Sequence, residues 1–230
     1  SIMGKNDNGN NGRTELVFVV DRSGSMGGLE SDTIGGFNSM LSKQRTIAGE
    51  CRVTTLLFDH RIETLHNHLD IREVNDLTSR DYWVRGSTAL LDAIGLAIDR
   101  MIVTQRHTAA AYRAQHVLFV IITDGYENAS RRYSLHQIKQ MITYERERYH
   151  WEFVFLGANI DAEQTAGDFG ISPRCATDFH ADGQGIKASF EAVACAATAV
   201  RGGADLDDLS APDFLGGVRD DYRSRRRMKR

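Results

Sequence analysis

Residues 17–30 read VFVVDRSGSMGGLE, an apolar run that stops on an aspartate and passes at once into two serines and three glycines. A continuous β-branched and aromatic stretch reads as a strand covered on both faces, as in a parallel sheet. Its ending is unusual. Asp21, Ser23 and Ser25 alternate along the turn, so their oxygens can converge on one point. A helix-capping turn would also use Asp and Ser. The choice between cap and site depends on what the rest of the chain places beside this turn.

Strand and helix patterns alternate outward from here. Strands are expected at Glu15–Val20, Cys51–Phe58, Ile62–His66, Val117–Thr123, Glu152–Leu156 and, at an edge, Cys175–Phe179. Helical spacing of apolar residues predicts helices over Leu29–Ile47, Thr88–Val103, Ser134–Tyr149, Ala162–Phe169 and Gly185–Val200. Phe58 and Ile62 flank a tight turn at Asp59–His60, which makes that pair a hairpin. VLFVIIT at 117–123 is the most apolar strand and belongs at the centre. The fold class is therefore α/β: a doubly wound, mostly parallel central sheet, one antiparallel edge strand, and helices on both faces, Rossmann-like in architecture.

Composition sets limits. The chain has 230 residues, 41% hydrophobic and 26% charged, which suits one domain with a sizeable core. We assign residues 1–13 to a flexible N-terminal segment, 14–203 to the domain, and 204–230 to a mobile charged tail, acidic at first and basic at its end. A formal net charge of -3 argues against nucleic acid as the main partner. Cys51, Cys175 and Cys195 are widely spaced and odd in number, which points to a reducing, cytoplasmic setting rather than a disulfide scaffold. No apolar signal core or membrane-length stretch is present, so no membrane association is expected.

In a doubly wound sheet, ligands sit beyond the carboxyl ends of strands where strand order reverses. Asp21 ends the first strand and Asp124, in VIITDG, ends the expected central one. If those strands are neighbours, both carboxylates face one crevice together with Ser23 and Ser25. Carboxylate, hydroxyl and water oxygens suit a hard cation such as Mg²⁺. His60, His66 and His68 lie around the hairpin and read as solvated loop histidines rather than ligands.

At this point the residues resemble a known family. DRSGSM at 21–26 resembles the Asp-x-Ser-x-Ser motif of the von Willebrand factor A (VWA) domains. GSTAL at 86–90 resembles that family's threonine loop, and ITDG at 122–125 its aspartate-bearing strand end. The resemblance spans roughly residues 14–200. It implies a metal-ion-dependent adhesion site (MIDAS) at Asp21, Ser23, Ser25, Thr88 and Asp124. Mg²⁺ or Mn²⁺ is the implied cofactor, with Ca²⁺ less suited. It further implies that hydroxyls bind the metal directly, that the aspartates act largely through water, and that one coordination position stays open for an acidic side chain of a protein partner. Intracellular bacterial relatives of this kind act as adaptors, including beside AAA+ ATPases or in stress responses.

The rival is catalytic. Haloacid-dehalogenase-like phosphohydrolases also place an aspartate at a strand end, but they use a second acid two residues later, where this chain has Ser23. Neither a GxSxG elbow nor a Walker A loop is present. The expected function is thus a non-enzymatic, metal-dependent protein-binding module; a scaffold that binds through its tail or other loops is the remaining alternative. Partner selection should fall to exposed loop residues around the metal: Met26, Trp83, Arg85, Tyr126 and Glu127. Trp, Tyr and Arg are the types most enriched at interface hot spots.

Overall fold

A computed structural model describes residues 12–228. Six strands form one sheet in the order β3-β2-β1-β4-β5-β6. They are β1 (Thr14–Asp21), β2 (Cys51–Phe58), β3 (Ile62–Asp70), β4 (His116–Asp124), β5 (Glu152–Ala158) and β6 (Ala176–Asp178). All pairings are parallel except β2 with β3, the hairpin edge. The helices are α1 (Glu30–Arg45), α2 (Leu90–His107), α3 (Leu135–Tyr149), α4 (Ala162–Asp168), α5 (Gly183–Arg201) and α6 (Gly216–Met228). They cover both faces of the sheet. α1 packs on α5 and α5 on α6, while α2 packs on α3.

β1 and β4 are neighbours at the centre, and every residue of β1 is buried. This is why their sequences are continuous apolar runs rather than alternating ones. Chain order leaves β1 toward β2 on one side, while β4 fills the other side. The reversal of strand order therefore falls between β1 and β4, and their carboxyl ends carry Asp21 and Asp124.

Several ends are set by local chemistry. Ser134 caps α3 in a reciprocal capping box with Gln137, and His150 closes that helix in the left-handed conformation at φ 57°. At the other end of the core, Arg201 is 1% exposed and spans from α5 to the end of α1. Its guanidinium donates to the carbonyls of Gln44, Ile47 and Gly49 at 2.7–3.2 Å.

Three expectations need correction. The segment after Gly203 is not a mobile tail over its described length. Leu206, Phe214, Leu215 and Val218 are all buried, and α6 is fixed to α5 by Arg225, which pairs with Asp182 and Asp221. Its apolar residues are too sparse for a strong periodic signal, and Asp207, Arg219, Asp221 and Arg225 spend their charges on neighbours. At the other terminus, residues 1–11 of the expected flexible segment lie outside the described residues. Arg13 is tied down by Glu50 and by the Ala111 carbonyl, each at 2.8 Å. The histidines near the hairpin are not all solvated. β3 extends to Asp70, so His66 is buried in it with Nδ1 2.8 Å from Thr55 Oγ1, and His68 Nδ1 lies 2.6 Å from the buried Glu15.

Candidate metal centre

Three loops meet above the β1–β4 junction. Asp21 is wholly buried and bonded on both carboxylate oxygens. Oδ1 accepts the Ser23 N–H at 2.6 Å. Oδ2 accepts the Thr123 hydroxyl at 2.9 Å and the Asp124 N–H at 3.1 Å. The buried Tyr82 hydroxyl donates to the Asp21 carbonyl at 2.6 Å and steadies the strand end. Ser23 Oγ and Ser25 Oγ lie 3.0 Å apart, and the Ser25 hydroxyl donates to the Asp124 carbonyl at 2.6 Å. Asn159 at the end of β5, itself left-handed at φ 56°, donates its amide to Asp124 Oδ1 at 2.5 Å. Thus Asp21, Ser23, Ser25 and Asp124 form one connected cluster.

Thr88 reaches this cluster through its loop. The Gly24 N–H donates to the Gly86 carbonyl at 3.0 Å, and the Arg85 N–H to the Arg22 carbonyl at 3.0 Å, so the first and second loops are stitched together. Gly86 sits at φ +68°, and a Cβ there would lie 2.3 Å from His60 Nδ1, so only glycine fits. The buried Thr88 is clamped from the third loop: its N–H donates to Asn128 Oδ1 at 2.8 Å, and its carbonyl accepts from Asn128 at 3.0 Å and Ala129 at 3.2 Å.

Burial works against a negative charge on both carboxylates of the cluster. Burial pushes the Asp21 carboxyl up, against the lowering effect of its hydrogen bonds to Ser23, Asp124 and Thr123. Burial also raises Asp124; the Asn159 amide counteracts this, and the charge of Asp21 adds to it. Among the described residues, no cluster of three or more His, Cys, Asp and Glu side chains is arranged to hold a metal. Any metal here would depend on the hydroxyls. The donor set fits that role. The 3.0 Å between the two serine oxygens matches the edge of an octahedron whose arms are about 2.1 Å long. A hydroxyl that donates its proton to a carbonyl, as Ser25 does, keeps its lone pairs free for a cation.

The expected recognition residues divide. Met26 is fully buried under the loop and is not available to a partner. Its side chain completes the core beneath a 3₁₀ turn at Gly24–Met26, a turn that periodicity does not reveal. Glu127 is turned inward onto the N–H groups of Ala129 and Ser130 at 2.9–3.2 Å. Tyr126 is 61% exposed, with its hydroxyl accepting from the Asp161 N–H at 3.2 Å. Trp83 is partly exposed, with its ring between two guanidiniums, Arg22 at 4.3 Å and Arg85 at 4.7 Å.

Asp59 was not singled out from sequence, although it directly follows the last residue of β2. It is wholly buried and accepts from Arg85 Nε at 2.7 Å and the Arg61 N–H at 2.6 Å, while its carbonyl accepts the Ala89 N–H at 2.8 Å. Burial would raise its pKa, but the Arg85 and Arg61 hydrogen bonds and the charges of Arg85 and His60 outweigh that, and it lies below the usual carboxylate range. Asp59 therefore acts as an ionised post that fixes both Arg85 and the start of α2. The aspartate in FDHR was the available signal.

No family model matches this chain, and no curated protein is significantly similar to it. Solved structures are similar in fold. Proximal thread matrix protein 1 from the mussel byssus superposes with a TM-score of 0.53 at 14% identity, over 80% of this chain and 45% of that one. A structure of the same mussel protein with a zinc-occupied MIDAS motif gives 0.53 at 12% identity, over the same 80% and 45%. The manganese-loaded TRAP protein of Plasmodium vivax gives 0.53 at 17% identity, over 74% of this chain and 70% of that one. This chain thus spans less than half the length of the mussel protein. The chain has the von Willebrand factor A fold. No helix among the described residues is long and apolar enough to cross a membrane.

Proposed function

We propose that this chain is a protein-binding module whose contact is made through a divalent cation, Mg²⁺ or Mn²⁺, held by Asp21, Ser23, Ser25, Thr88 and Asp124. The observation that carries this reading is the bonded cluster of two carboxylates and two serine hydroxyls at the strand-order reversal. When bound, the cation supplies a positive charge only partly neutralised by the site, which attracts a carboxylate from a partner. Asp21 does the positioning: it orients Ser23 and the Asp124 backbone. Ser23, Ser25 and Thr88 offer neutral oxygens. Asp124, restrained by Asn159, supplies the more accessible charge. Arg85, moored to Asp59 and partly exposed, stands ready to receive the second oxygen of an incoming acid. Trp83 and Tyr126 provide the apolar rim.

A non-enzymatic role is supported by how Asp21 is used. A phosphohydrolase nucleophile needs a free carboxylate oxygen facing substrate, yet both oxygens of Asp21 are occupied and the residue has no exposed surface. A partner from an AAA+ ATPase or stress-response system, and a cytoplasmic setting, belong to the same proposal.

Partner capture with immobilised wild type and Asp124→Ala, in Mg²⁺ and in EDTA, tests the reading. Retention by wild type in Mg²⁺, lost in EDTA and lost in the variant, is expected. Retention indifferent to both changes would place the interface elsewhere.

A further inference from the structure

The loop that begins at Asp124 does more than clamp Thr88. Its far half, residues 130–133, is bound to the first turns of α2. The N–H groups of Arg131, Arg132 and Tyr133 all donate to the Asp92 carboxylate at 2.9 Å, and the Asp92 N–H donates to Ser130 Oγ at 2.9 Å. The Tyr133 ring lies against Gly95, where a Cβ would come within 2.4 Å of it, and its hydroxyl donates to Asp99. The loop backbone is therefore fixed where the arginines leave it.

Arg131 and Arg132 are both exposed. Neither guanidinium has a hydrogen-bond or ion-pair partner among the described residues. The carboxylates that touch this loop are committed inward: Asp92 and Glu127 to backbone N–H groups, Asp99 to the Tyr133 hydroxyl. Two adjacent cations with no counter-charge in contact attract anions. A rigid backbone lowers the cost of holding one in place.

The pair stands beside the metal site. The Ala129 N–H lies 3.2 Å from the Thr88 carbonyl. Two further residues span at most about 7 Å, which puts the Arg131 backbone within roughly 12 Å of that carbonyl. An extended chain covers a similar distance in about three residues.

Resting on the metal-bridged reading above, we propose that the partner presents an acidic segment rather than a lone acid. One carboxylate goes to the cation. A second, about three residues along an extended chain, goes to Arg131 and Arg132. Arg85 serves the metal-bound acid itself, and the loop pair reads the next one. Guanidinium forks suit a carboxylate in this role. Arg131 and Arg132 alone, on a chain of net charge -3, make a poor footing for nucleic acid.

The test titrates the full ¹⁵N-labelled chain, in Mg²⁺, with two end-capped glycine-serine octapeptides. One carries two glutamates three positions apart; in the other the second glutamate is glutamine. The two-acid peptide should bind about threefold more tightly or better at low salt, an advantage that should shrink at high salt. The double variant Arg131→Ala with Arg132→Ala, which trims only exposed side chains, should bind both peptides alike, at the wild-type affinity for the one-acid peptide. Equal binding of the two peptides by wild type, or a preference that survives in the double variant, would overturn the proposal and leave the metal-bridged reading standing. Binding of neither peptide at millimolar concentration would remove both. Tighter binding of an oligothymidylate than of the two-acid peptide would assign the arginines to nucleic acid and overturn the proposal.

Discussion

Asp21 Oδ2 accepts the backbone N–H of Asp124 at 3.1 Å, so one carboxylate of the pair fixes the position of the other. The two aspartates therefore do different jobs, and their variants should differ. Asp21→Ala strands the Ser23 and Asp124 N–H groups and the Thr123 hydroxyl in a buried place. It should cost about 1–3 kcal/mol of stability as well as metal binding. Asp124→Ala removes a charge that Asp21 repels, so in EDTA it should be as stable as wild type or more so, while metal binding is lost. Urea unfolding and calorimetry on both variants check this; equal destabilisation by the two would refute the division.

Protons and metal should compete at this site. Both carboxyls are raised from 3.8 chiefly by burial. A raised folded-state pKa means a stability contribution complete below 3.8 and lost as pH rises through the raised values. Without metal, the pair weakens the fold at neutral pH; a bound cation reverses this. The rise in Tm on adding Mg²⁺ should therefore be present at pH 7 and fade as pH falls through the raised pKa values. Thermal scans across pH, with and without Mg²⁺, measure it. A metal-induced shift of the same size at pH 4 and pH 7 would exclude these carboxylates as the ligands.

A second pH effect lies elsewhere. Glu152 at the start of β5 is raised from 4.5 to about 7, first by burial and then by the charges of Asp205 and Asp207. It receives the Leu206 N–H at 3.3 Å, so it senses the docking of the C-terminal segment. Its stabilising contribution is complete below 4.5 and lost as pH rises through about 7. Glu152→Gln should flatten the fall in Tm between pH 5 and 8, in EDTA so that the metal site is not involved. An unchanged slope would assign that fall to other groups.

The C-terminal segment should behave as part of the domain. Leu215 is wholly buried where α6 meets the body. Leu215→Ala should cost about 2–5 kcal/mol, the range for a buried leucine. Urea midpoints would show this, and a loss below about 0.5 kcal/mol would mean that the segment is dispensable.

Much of this could be read from sequence because β1 and β4 are buried on both faces and so carry uninterrupted apolar runs. Asp21, Ser23, Ser25 and Asp124 could be placed for the same reason: each follows directly from such a strand. What could not be read depends on contacts between distant segments. Asn159 reaches Asp124 only because β5 pairs with β4 and a left-handed residue follows it. Asp59 becomes a post only when Arg85 arrives from beyond the hairpin. Met26 looked exposed because its neighbours are glycine and serine, yet the 3₁₀ turn rolls it into the core. The sparse apolar residues between 206 and 218 gave too little periodicity to show that they are buried.

The central claim is the position of the cation, and Mn²⁺ titrated into ¹⁵N-labelled protein tests it most directly, since paramagnetic broadening locates even a weakly held ion. Amides of residues 22–26, 86–89 and 124–126 should broaden first in wild type, and in Asp124→Ala they should not. Broadening centred on another acidic stretch, such as residues 205–208, or an unchanged pattern in the variant, would contradict the account.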